Sequence, residues 1–75
     1  MELDGLMISK SGHDYIAEKL NLPDYYGKNL DALYDCLCMI SADIELSNSQ
    51  YVDDDILETF KDASLENDYL TFKII

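Results

Sequence analysis

Few residues of this chain are equipped for covalent or acid–base chemistry. It holds one histidine, His13, and two cysteines, Cys36 and Cys38. A cysteine nucleophile needs a base and an electropositive setting to hold its thiolate, and nothing basic adjoins either thiol in the sequence. His13 stands near a helix start with no nucleophile in evident reach. The aspartates offer more. Asp31 and Asp35 stand four residues apart with Tyr34 between them. Such a pair could trade protons, but acid–base work needs a cleft and neighbours that separate the two pKa values, and the pattern implies neither. Asp53-Asp54-Asp55 lacks the glycine and closing acid of a calcium-binding loop. The expectation is recognition rather than catalysis: no enzyme, no cofactor and no metal.

Recognition needs a surface, and helical spacing supplies one. Asn29 is a good N-cap, and Leu30, Leu33, Leu37 and Ile40 follow at the 3.6-residue period of a buried stripe. Asp31, Tyr34 and Asp35 then fall within about 100° of one another on the face opposite the leucines. Two like charges at i and i+4 cost a helix about 0.2–0.5 kcal/mol. Asp31 recovers part of that from the helix dipole, and Asp35, further along, recovers less. An exposed ring between two unpaired acids suits an interface that offers Lys or Arg, although an acidic run is most often only a solvated face. A second stripe, Asp55, Glu58, Asp62 and Glu66, lies on a later helix away from Ile56 and Phe60. It carries no aromatic residue.

Charge decides which partners are admissible. Sixteen acids face five basic residues, all lysine, for a formal net charge of −11. Nucleic acid and anionic membranes are thereby disfavoured, because both require a basic patch. A basic protein is favoured, since a field of this sign raises its encounter rate. The first residues lack the basic and apolar runs of a signal peptide, and no stretch approaches the ~20 apolar residues of a membrane span. If their segment is helical, Cys36 and Cys38 point about 200° apart and cannot bridge each other. Two free thiols suit a reducing compartment, so the expected location is cytoplasmic.

The chain is 75 residues long and 48% hydrophobic, which suits one small folded domain, residues 1–75. Residues 2–8 read as a short strand or a strand plus turn. Ser11, with Asp14 three residues on, offers a helix start, and the helix runs to about Leu20. Pro23 and Gly27 bracket a turn. The Asn29 helix runs to about Met39. Ala42, Ile44 and Leu46 alternate with Asp43 and Glu45 as a half-buried strand. Residues 47–51 are turn-like. Asp53 or Asp54 caps a last helix, with Ile56, Leu57, Phe60 and Ala63 inward, ending near Asn67. Residues 69–75 read as a strand with Leu70, Phe72 and Ile74 on one face. Strands separated by helices imply parallel pairing, so the fold class is α/β. Leu30, Leu33, Leu37, Ile44, Phe60 and Phe72 form the expected core, with Cys36 largely buried.

The run Leu22-Pro23-Asp24-Tyr25-Tyr26-Gly27-Lys28-Asn29-Leu30-Asp31-Ala32-Leu33-Tyr34-Asp35-Cys36-Leu37 resembles the signature of barstar-type ribonuclease inhibitors. The match is long and gapless. Leu3-Asp4-Gly5, Phe60-Lys61-Asp62 and the closing strand resemble other parts of the family more weakly. The resemblance implies a small three-stranded parallel sheet with three helices packed against it. It also implies a function: occluding the active site of a basic, guanyl-preferring ribonuclease, in an immunity or antitoxin role, by a protein monomeric when free. By matching position, it implies a binding surface of Tyr25, Gly27, Asn29, Asp31, Tyr34, Asp35 and Asp62, with Asp35 in the place of a substrate phosphate. The chain departs from the pattern at Tyr34, where many members have Trp, and at Lys28, where an acid is common. It is also shorter between Ser47 and Asp53, where longer members have a helix. These departures leave open a barstar-like interaction module for another basic partner, such as a toxin that is not a ribonuclease.

Overall fold

The computed structural model describes all 75 residues. Strand β1 is Glu2–Asp4, helix α1 Gly5–Leu20, helix α2 Leu30–Leu37 and strand β2 Ala42–Ser47; a single 3₁₀ turn, Ser49–Tyr51, leads to helix α3, Asp54–Glu66, and strand β3, Leu70–Ile74. The strands form one parallel sheet in the order β1-β2-β3. Glu2 stands opposite Glu45, and Ile44 opposite Phe72. Period-two alternation sorts the two faces. Leu3, Ile44, Leu46 and Leu70 are buried beneath the helices, and Glu2, Asp43, Glu45, Thr71 and Lys73 are exposed. The α/β architecture with three helices and a parallel three-stranded sheet is the one expected.

The core joins those strand residues to Ile8 and Ile16 of α1, Leu33 and Leu37 of α2, and Phe60 and Ala63 of α3. Phe60 stacks on Phe72 at 5.0 Å between ring centroids. Of the expected core, Leu30 is half-buried and lies outside this cluster, and Phe72 packs against its edge. Cys36 is half-buried against the core rather than enclosed.

The first third of the chain departs most from expectation. The strand stops at Asp4, and residues 5–8 are helical, because the Asp4 side chain accepts a hydrogen bond from the Leu6 N–H and so caps α1. Gly5 has no room for a side chain: a Cβ there would lie 2.2 Å from the Asn48 carbonyl oxygen. Ser11 does not cap a helix; its side chain makes no hydrogen bond. Instead Gly12 breaks α1 with φ 53° and ψ −129°, a conformation that only glycine adopts readily, and the helix resumes in a new direction. Helix α2 ends at Leu37, earlier than its periodicity suggests. Cys38 and Met39 close it with bonds to the Tyr34 and Cys36 carbonyls.

Candidate partner-binding surface

Asn29 builds the junction on which the surface depends. Its Oδ1 accepts from the Ala32 N–H at 2.8 Å, and its Nδ2 donates to the Gly27 carbonyl at 3.3 Å. Both ends of the side chain are thus spent on starting α2 and folding the preceding turn onto it. In that turn the Tyr26 N–H bonds back to the Pro23 carbonyl. The reversal sends successive rings in opposite directions: Tyr25 is 86% exposed and Tyr26 only 7%. Burial, with a lesser contribution from Cys36, pushes the Tyr26 phenol from 10.0 to about 12. Its hydroxyl shares a hydrogen bond with His13 Nδ1. Gly27 is exposed and could carry a Cβ at ordinary contact distance from Ala32 and Asn29. The left-handed backbone of this turn falls on Lys28, at φ 54°.

Along α2, Asp31 and Asp35 are exposed, and neither carboxylate has a hydrogen bond or ion pair within the molecule. Tyr34 is not the exposed ring that the spacing suggested: it is half-buried and packs against the core. At 100° per residue it stands only about 60° from Leu37, so the apolar stripe draws it in. Its hydroxyl looks toward α3. A hydrogen bond with the Cys38 thiol, then desolvation, then the negative charges near it, Glu66 and Asp62 among them, hold this phenol above the ordinary tyrosine range. The fold therefore brings Asp62 beside α2, and with it Glu66.

Asn67 makes that placement firm. Buried at 8% exposure, it donates from Nδ2 to the Leu37 carbonyl at 3.0 Å and the Ile40 carbonyl at 2.7 Å, and its Oδ1 accepts from the Tyr69 N–H at 3.0 Å. The end of α3 is thereby tied to the end of α2. Nothing local in the sequence marks this residue, since its partners lie up to 30 positions away.

The surface is acidic and almost unneutralised. The one ion pair of the molecule joins Lys28 Nζ to Asp14 Oδ1 at 2.8 Å. A face with free carboxylates at Asp31, Asp35 and Asp62, an exposed ring at Tyr25 and a half-buried one at Tyr34 can accept several charge-assisted hydrogen bonds from Lys or Arg groups. No group of three or more His, Cys, Asp or Glu side chains converges to hold a metal ion. No helix is long and apolar enough to cross a membrane.

A sequence model of one family, described as Barstar (barnase inhibitor), matches residues 1–74. The chain belongs to the barstar family. A relative of this chain is the Bacillus subtilis (strain 168) protein named "Putative ribonuclease inhibitor YrdF", which is 42% identical over 65 residues, covering 72% of this chain and 70% of its own. Within this barstar-family chain, the turn leads through the Asn29 cap directly into α2, and the Asn67 clamp ties the end of α2 to α3, which carries Asp62 and Glu66.

Proposed function

We propose that this protein binds a basic, guanyl-preferring ribonuclease and occludes its active site, acting by binding alone and not by catalysis. The observation that carries the reading is the pair Asp31 and Asp35: both exposed, both without an internal partner, side by side on the outer face of α2 and flanked by Tyr34 and Asp62. Like charges in that position cost the free helix stability, and a cationic cleft reverses the balance. Family membership and the name of the Bacillus relative support a ribonuclease as the partner. In this reading Asp35 takes the place of a substrate phosphate, with Tyr25, Gly27, Asn29, Asp31, Tyr34 and Asp62 around it. The protein is one domain, monomeric when free, and works in the cytoplasm as an immunity protein or antitoxin.

The test is a titration of fluorogenic RNA cleavage by a purified barnase-like ribonuclease. Asp35→Ala should weaken inhibition at least about thirtyfold, the equivalent of ~2 kcal/mol, while leaving the melting temperature unchanged or slightly raised. Glu45→Ala makes the same charge change on the open face of the sheet and should weaken inhibition much less. If the two substitutions act alike, the α2 face is not the binding surface. If the wild-type protein inhibits no such ribonuclease, the partner is a different basic protein.

A further inference from the structure

The turn of residues 21–29 carries three of the proposed contact residues yet has little backbone bonding of its own. Besides the Asn29 side chain and the burial of Leu22 and Tyr26 in the core, two polar contacts hold it from outside. The Tyr26 hydroxyl bonds His13 Nδ1, and the Lys28 ammonium pairs with Asp14. Both anchors come from consecutive residues of α1, and both stand directly after the break at Gly12. The break re-aims the second half of α1 so that its first two residues meet the turn. Lys28 needs such an anchor, because it is held at φ 54°, a backbone conformation that side chains other than those of Gly, Asn and Asp rarely adopt. It is also the one cation in a turn that must face a basic partner, and the Asp14 carboxylate offsets its charge. That carboxyl is in turn held below its ordinary 3.8 by its hydrogen bond and charge pairing with Lys28.

We propose that His13 and Asp14 are positioning residues for the partner-binding turn: they fix Tyr26 and Lys28, and so pre-form the conformation of Tyr25, Gly27 and Asn29 that the partner meets. The inference rests on the ribonuclease-inhibitor reading of this surface. An exposed ion pair adds little to global stability, so the pair acts on pre-organisation, whose loss is felt on binding as ordering cost.

The experiment has one arm without a partner and one with it. In the free protein, amide hydrogen exchange at Tyr26 and Ala32, whose N–H groups bond the Pro23 carbonyl and the Asn29 side chain, should quicken about threefold or more in Asp14→Lys and in His13→Phe, with the melting temperature of Asp14→Lys within about 2 °C of wild type. The charge-swapped pair Asp14→Lys with Lys28→Asp keeps the net charge, suits the left-handed site, and should restore exchange to within about twofold. Against a barnase-like ribonuclease, Asp14→Lys should dissociate several-fold faster in high salt, where steering is screened, and the swapped pair should dissociate like wild type. Exchange that does not change in Asp14→Lys, or a swapped pair no better than the single variant, overturns the inference. An Asp35→Ala protein that binds like wild type overturns the inhibitor reading instead, and leaves the exchange result standing on its own.

Discussion

Truncating Asn67 to Ala removes three hydrogen bonds at the junction of α2, α3 and β3, and the structure lets the loss be apportioned. The Leu37 carbonyl loses its side-chain donor in a buried setting. Such a stranded group costs about 1–3 kcal/mol. The Ile40 carbonyl and the Tyr69 N–H are only partly buried, so water can replace Asn67 there and each loss is nearer 0.5–1 kcal/mol. The helix-closing bond from the Asn67 N–H to the Ala63 carbonyl survives, because it is made by the backbone. The sum is about 2–5 kcal/mol, against the total of roughly 4–11 kcal/mol that per-residue scaling gives for this length. At about 4–8 °C per kcal/mol for a domain of this size, the melting temperature should fall by at least about 8 °C. Thermal melts followed by circular dichroism measure it, with Asp68→Ala, an exposed neighbour, as a control expected within about 2 °C of wild type. Asn67→Asp separates the contributions, since it keeps the acceptor for Tyr69 but sets a carboxylate against two carbonyl oxygens; it should be at least as damaging as Ala. An Asn67→Ala protein that melts within about 3 °C of wild type would refute the claim that this side chain joins the two helices.

Leu33→Ala should cost about 2–5 kcal/mol through transfer and cavity terms, because Leu33 is wholly enclosed; a urea titration showing under 1 kcal/mol would remove it from the core. Salt should act in opposite directions on the two states: with 16 acids, 5 lysines and a single ion pair, raising salt should lift the melting temperature of the free protein and slow its association with a basic partner. A stopped-flow on-rate that stays flat from low to high salt contradicts the second half. At alkaline pH, burial favours the neutral Tyr26 phenol in the folded state, so its contribution is whole below pH 10 and lost as pH rises from 10 through about 12. Tyr26→Phe should flatten that limb of the urea midpoint against pH, and an unchanged limb would place the titration elsewhere.

The elements that carry strong local signals were legible. Asn29 before an apolar period announced α2 and its cap, and the strict alternation of residues 42–46 announced β2 and the sense in which it faces the helices. What could not be read depended on contacts between distant segments or on competition between similar signals. Ser11 and Asp14 have the types and spacing of a helix start, but Asp4 offers the same chemistry earlier in the chain, and Gly12 then supplies the break. Helical spacing groups Tyr34 with Asp31 and Asp35 at i, i+3 and i+4 and so sets it on the outer face. Its angle to Leu37 and the proximity of α3 bring it halfway in. The two glycines of the first helix are read differently by the fold: one needs its freedom of φ, the other its lack of a Cβ, and a sequence alone does not say which. In the turn before α2 the left-handed position falls on Lys28 and not on the adjacent Gly27. Asn67 gave no sign at all, because a satisfied buried amide is defined by its partners.

The carboxylates of Asp31, Asp35 and Asp62 make no hydrogen bond or ion pair within the molecule, and this bears on how such a protein can change over generations. Residues that hold the scaffold together, Gly5, Gly12, Leu33 and Asn67, are committed to internal contacts or backbone shapes, and alternatives at those positions cost stability. The outer face of α2 carries no such obligation. If that face meets the partner, as proposed, substitutions there alter the complementarity without first passing through an unfolded intermediate sequence. A lineage can therefore track a drifting target, or move to a new one, by changing a few surface side chains one at a time while the sheet and its helices stay as they are.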